Sequence, residues 1–125
     1  AFLRKKTQKA AVFGVDLFSL FLAGELAKKM YPVTVYCQHP DREALLEGLP
    51  PGAAEDLKRL DIQFEWNADP VTACAGNAMK YDLVCASYET ANAVYPGLEV
   101  DEAVMVCRAR HLGYAQIANH GRQAP

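Results

Sequence analysis

Three consecutive stretches decide the fold: Lys9-Ala-Ala-Val-Phe-Gly14, then Val15-Asp-Leu-Phe-Ser-Leu-Phe-Leu-Ala-Gly-Glu-Leu-Ala-Lys-Lys-Met30, then Tyr31-Pro-Val-Thr-Val-Tyr-Cys37. Residues 10–14 form a short apolar run that stops at a glycine, the pattern of a strand buried on both faces. Over residues 16–30 apolar side chains recur at helical spacing. Lys28 and Lys29 fall in the last turn, where cations suit the negative end of the helix dipole. Tyr31-Pro32 breaks that helix. Residues 33–37 are β-branched and apolar, a second strand. Strand, glycine, helix and strand in this order make a β-α-β unit.

The alternation continues along the chain. His39-Pro-Asp-Arg42 is a turn, and residues 43–48 make one short helical piece. Leu49-Pro-Pro-Gly52 is a hard break, too short for a domain linker. Residues 53–60 form a short amphipathic helix. Ile62-Gln-Phe-Glu-Trp66 alternates and reads as a strand near an edge. Asn67-Ala-Asp-Pro70 is a turn, residues 82–86 and 103–107 are apolar strands, and residues 114–123 form a closing helix. No internal repeat or low-complexity segment is present. Apolar strands separated by helices imply a parallel sheet covered on both faces. The expectation is one α/β domain over residues 1–125, three-layer and Rossmann-like. Its sheet is mostly parallel and five-stranded, in the order 3-2-1-4-5 with right-handed crossovers.

Composition agrees with a single core. The chain has 125 residues, 51% hydrophobic and 22% charged, values of a globular domain rather than a disordered one. The net charge of -2, from 13 basic and 15 acidic residues, argues against a nucleic-acid footprint. No apolar run reaches the ~18 residues of a membrane span. The opening Ala1-Phe-Leu-Arg-Lys-Lys6 has no long apolar stretch behind it, so no signal peptide is expected. Ala1 reads as a boundary within something longer. The four cysteines, Cys37, Cys74, Cys85 and Cys107, contain no Cys-x-x-Cys pair and match no metal spacing. Cys37, Cys85 and Cys107 each end an apolar run and read as small buried hydrophobes, and buried free thiols fit a reducing cytoplasm.

A strand ending in Gly14 and leading into a helix is the setting of the dinucleotide fingerprint Gly-x-Gly-x-x-Gly. The first glycine makes the turn, the second admits the pyrophosphate, and the third lets helix and strand pack closely. Here the six positions read Gly14-Val-Asp-Leu-Phe-Ser19, with the first glycine alone retained. The acid that takes the ribose hydroxyls at the end of strand two is replaced by Cys37 or Gln38.

The stretch from Lys9 to Gly14, with Phe21-Leu-Ala-Gly-Glu-Leu-Ala-Lys-Lys-Met-Tyr-Pro-Val-Thr-Val-Tyr36, resembles the opening FAD-binding segment of the glutamate synthase small-subunit family of flavoprotein reductases. Four later segments resemble that family in the same order. They are Glu43-Ala-Leu-Leu-Glu-Gly-Leu-Pro-Pro51, Leu57-Lys-Arg-Leu-Asp-Ile-Gln-Phe-Glu-Trp-Asn67, Lys80-Tyr-Asp-Leu-Val-Cys-Ala-Ser87 and Ala115-Gln-Ile-Ala-Asn-His-Gly-Arg-Gln-Ala124. The last resembles the family's closing helix. The departures are systematic. The family's Gly-Gly is Glu43-Ala44, its Ala-Thr-Gly is Ala86-Ser87-Tyr88, and its late Gly-Asp is replaced near Cys107-Arg108. The NADPH-binding domain that the family inserts after its fourth strand is reduced to the short gap from Tyr88 to Leu98. The resemblance implies the FAD half of such a reductase with its cofactor contacts eroded.

Elementary electrostatics points the same way. Asp16 stands where a pyrophosphate would meet the helix N-terminus. At an effective dielectric near 20 and ~5 Å, the repulsion per phosphate charge is roughly 3 kcal/mol. Asp16 is also a good N-cap, able to take up the N–H groups a phosphate would use. The candidate cofactor positions are therefore Gly14, Asp16, Ser19 and Cys37, in eroded form, with no catalytic and no metal residue assigned. Cys107 with His111 and His120 as a metal cluster, and Cys85 or Cys107 with His111 as a nucleophilic pair, are weaker alternatives. So is an anion site at Arg108 and Arg110, at the end of strand five.

Leu17, Phe18, Leu20, Phe21, Leu22 and Leu26 cover more than the ~100° stripe that packing on one sheet face requires. A homo-oligomer contact, or another domain of a larger redox protein, is expected to cover the rest. The expected function is a structural or interaction module that holds no cofactor. The alternative is an oxidoreductase component that still binds FAD or NAD(P)H for electron transfer.

Overall fold

The computed structural model describes residues 7–14, 17–95, 103–109 and 113–118, and for residues 17, 18, 88, 103–109 and 113–118 the description is of the backbone. The chain begins with strand β1 (Ala10–Phe13), helix α1 (Leu17–Lys28) and strand β2 (Val33–Tyr36). Two short helices follow, α2 (Arg42–Glu47) and α3 (Pro51–Arg59), then strand β3 (Ile62–Glu65). Helix α4 (Pro70–Asn77) and a single 3-10 turn (Ala78–Lys80) lead to strand β4 (Leu83–Ser87). Helix α5 (Tyr88–Val94), strand β5 (Ala103–Ala109) and strand β6 (Gly113–Ala118) complete the described chain.

The strands form one sheet in the order β3-β2-β1-β4-β5-β6. The first four are parallel. β5 runs antiparallel to β4, and β6 antiparallel to β5. The parallel part thus has the expected order 3-2-1-4, but the sheet has six strands rather than five, and its fifth is reversed. The closing helix expected over residues 114–123 is also corrected, since Gly113–Ala118 is a strand. Tyr114-Ala-Gln-Ile-Ala118 carries enough small and apolar residues to suit either state. Pairing with β5 supplies backbone partners that an isolated turn of helix would lack.

The inner parallel strands β1, β2 and β4 are largely buried on both faces, whereas the edge strand β3 leaves Gln63 and Glu65 exposed. All four residues of β1 are buried. On one face Ala10, Val12, Val33, Val35, Ile62 and Cys85 pack with Leu20, Ala23 and Leu26 of α1, Leu45 of α2 and Leu57 of α3. On the other, Ala11, Phe13, Tyr36, Val84 and Ala86 pack with Ala73 and Cys74 of α4 and with Ala78. The helices change face where the strand order reverses, between β3 and β4. That change keeps successive parallel crossovers at one hand.

Local chemistry sets the helix ends. The side chain of Asp41 accepts from the Ala44 N–H at 2.9 Å at the start of α2. Pro51 and Pro70 open α3 and α4, where a missing N–H does no harm. At the end of α1, Met30 adopts φ 70°, and Tyr31 N–H returns to the Leu26 carbonyl at 3.1 Å. That is a Schellman closure without the usual glycine.

Candidate functional site

In an open parallel sheet the ligand crevice lies beyond the carboxyl ends of the strands, where the connections part to opposite faces. Here that point lies between β1 and β4. Helix α1 leaves β1 toward one face, while α4 and α5 lie together on the other. Gly14 follows β1 with φ 123°, and its N–H donates to the Tyr36 carbonyl at 3.0 Å. A Cβ placed on Gly14 would meet no atom of the described residues within 4 Å. The backbone turn by itself calls for glycine here.

Across the crevice, Ser87 ends β4 and caps α5. Its Oγ accepts from the Thr90 N–H at 3.3 Å and donates to Thr90 Oγ1 at 3.1 Å. Asp16 lies outside the described residues, and with it the expected N-cap of α1. Ser19 stands at the third fingerprint position and is 0% exposed. A small residue there lets α1 approach β1, which is the packing role of the third glycine.

The ribose end differs from the fingerprint more deeply. Cys37 is fully buried among the α1–α3 side of the core, and burial pushes its thiol pKa up. It cannot present a charge to a ribose. The neighbouring Gln38 is exposed, and its Nε2 donates to Asp69 Oδ1 at 3.3 Å. Asp69 stands at the start of α4 and accepts from the Thr72 N–H at 2.9 Å. That backbone hydrogen bond holds its carboxyl below the ordinary aspartate range. The carboxylate that meets Gln38 thus comes from the start of α4 and is already engaged by two donors, Gln38 Nε2 and the Thr72 N–H. The described residues keep the turn of the fingerprint and lack its ribose acid, so they do not fit the family's dinucleotide contacts.

The β2 and β3 loops are fastened to each other. Ala68 N–H donates to the Cys37 carbonyl at 2.7 Å, and Asn67 N–H to the His39 carbonyl at 3.0 Å. Asn67 takes φ 55°, a conformation asparagine tolerates. His39 is half-buried, and its Nδ1 is shielded from solvent without a hydrogen-bond partner among the described residues. Beside this corner Tyr36 stacks on Phe13 with centroids 4.8 Å apart and shares a 2.7 Å hydroxyl contact with Tyr81. Burial, then the Tyr81 hydrogen bond, raises the Tyr36 phenol above its ordinary value, so it stays protonated.

The remaining candidates disperse. No group of three or more metal-ligating side chains occurs among the described residues. His111, His120 and Arg110 lie outside them. Arg108 pairs with Val84, toward the start of β4. The reversal of β5 therefore carries the end of strand five away from the crevice, and the expectation of an anion site there is corrected on that ground. Helix α4 and its cap went unread in the sequence, although Asp69-Pro70 combines an N-cap residue with proline at the first helical position. On α1, Leu20 and Leu26 are buried while Phe21 is 63% exposed. Phe21 borders a groove of about 170 Å³ between α1 and α3 that also includes Gly24, Leu57 and Leu60. No helix among the described residues is long and apolar enough to cross a membrane. Compared with protein-family models, curated proteins and solved structures, the chain gives no match.

Proposed function

We propose that this chain is a degenerate FAD/NAD(P)-binding-type Rossmann domain, related to the glutamate synthase small-subunit flavoprotein oxidoreductases, that acts as a structural or interaction module. The observation that carries the reading is the burial of Ser19 and Cys37. Both occupy fingerprint positions, and both side chains lie inside the core rather than at a ligand. The exposed Phe21 beside the α1–α3 groove supports an interaction role, in a homo-oligomer or against another domain of a larger redox protein. Buried thiols suit a cytoplasmic setting.

The second reading, an oxidoreductase component that still binds FAD or NAD(P)H, is favoured by Gly14, whose turn is kept with no described residue within 4 Å of its missing Cβ. Purified protein discriminates the two. The module is colourless and shows no thermal shift with FAD or NADPH. Flavin absorbance, or a saturable shift with either dinucleotide, overturns it in favour of the redox component. Asp16→Gly combined with Ser19→Gly is expected to raise nucleotide affinity by removing the anion repulsion. An unchanged affinity would show that the site was lost for another reason.

A further inference from the structure

The antiparallel ladder between β4 and β5 sets Cys85 directly opposite Cys107. The pair is the middle rung of a ladder running from Leu83↔Ala109 to Ser87↔Met105, where fraying is least. Directly opposed residues in such a ladder have Cα atoms about 4.5–5.5 Å apart. A disulfide spans Cα separations of about 4.4–6.8 Å. The backbone register therefore meets the distance requirement without any rearrangement of the sheet.

The same topology keeps the other two cysteines apart from this pair. Cys37 follows β2, and β1 lies between β2 and β4. Two strand spacings, about 9–10 Å, separate that position from Cys85, beyond the roughly 7 Å limit for bridging. Cys74 belongs to α4 and to the core on the opposite face of the sheet.

We propose that Cys85 and Cys107 form a cross-strand dithiol–disulfide couple that fastens the β5–β6 hairpin to the parallel sheet when it is oxidised. The oxidant is a low-molecular-weight disulfide. One protein thiol loses its proton and attacks a sulfur of that disulfide, expelling one small thiolate and forming a mixed disulfide. The second protein thiolate attacks the protein sulfur of the mixed disulfide and expels the other small thiolate. Two protein thiols and one small disulfide thus become one protein disulfide and two small thiols. Cys85 is 1% exposed, so the exchange runs through local opening of the β4–β5 ladder and is slow in the native protein. The couple is independent of whether the crevice binds a dinucleotide.

The test is incubation of the whole native chain with oxidised glutathione, followed by thiol titration and peptide mapping. Trypsin leaves both cysteines in one peptide, because no Lys or Arg lies between Tyr81 and Cys107. A Glu-specific protease then cuts after Glu89, Glu99 and Glu102 and separates them unless they are bridged. Two of the four thiols should disappear with the loss of two hydrogens from the intact mass, and the bridged peptides should contain Cys85 and Cys107. Backbone amides of β5 should exchange more slowly in the oxidised form than in the reduced form. Cys107→Ala should stop at the mixed disulfide or stay reduced. Retention of all four thiols in the native chain, or a bridge that uses Cys37, Cys74 or a second chain, overturns the proposal.

Discussion

Gly14 is a residue whose identity follows from one torsion angle. At φ 123° an L side chain is strained whatever room it has, and the described residues leave room for it. Gly14→Ala should lower unfolding stability by roughly 1–3 kcal/mol. Gly14→Ser should lose about the same amount, since no described residue comes within 4 Å of the added Cβ. Urea unfolding of the two variants checks both points, and a much larger loss for serine would mean that the turn is crowded. Asp69 is defined by its partner instead. The Thr72 N–H depresses its folded-state pKa, so the stability it contributes is full above the unfolded value. That contribution fades as pH falls through the folded value. The gap in urea midpoint between wild type and Asp69→Asn should therefore be open at neutral pH and close in acid.

Among the elements, α3 shows how little holds a short helix to the sheet. Leu57 is its one buried residue, with Leu60 partly buried just beyond its end. The ion pairs Lys58–Glu55 and Arg59–Asp56 are exposed and contribute little. Leu57→Ala should therefore destabilise the protein by about 2–5 kcal/mol, whereas neutralising either pair should leave the unfolding midpoint almost unchanged. Calorimetry or denaturant titration of these variants measures the contrast. Helices α4 and α5 teach a different lesson about legibility. Their caps, Asp69 and Ser87, are ordinary N-cap residues, yet Thr72, Ala73 and Cys74 give no strong helical stripe. What commits α4 to helix is the Asp-Pro start together with burial of Ala73 and Cys74 against the sheet. That second cause is not a local property of the sequence.

For the whole molecule, the strand order β3-β2-β1-β4-β5-β6 puts β1 and β4 at the centre and β3 and β6 at the edges. Native-state hydrogen exchange should find the slowest amides in Ala10–Phe13 and Leu83–Ser87 and the fastest strand amides in Gly113–Ala118. Comparable protection in β6 would require something to cover that edge. The reversal of β5 matters for chemistry as well as for stability. It moves Arg108 away from the crevice and, by the same register, sets Cys107 against Cys85. One change of strand direction thus removes one candidate site and supplies another.

The sequence alone determined the β-α-β opening, the parallel order of the first four strands and the glycine that ends β1. These are carried by apolar periodicity and by residues such as Gly14 and Pro32 that act on their own backbone. It also showed that the six positions after β1 hold one of the three glycines a dinucleotide fingerprint requires, and that no acid follows Tyr36 at the end of β2. Tertiary structure decided the rest. Whether residues 113–118 coil or extend depends on β5 as a partner, which local propensity cannot see. Whether Cys37 or Gln38 faces the crevice depends on which side of the sheet each residue meets as β2 ends. Pairing of Cys85 with Cys107 depends on the direction and register in which β5 joins β4. Contacts between residues distant in the chain are set by how elements pack, and that information lies in the assembled core rather than in any single stretch.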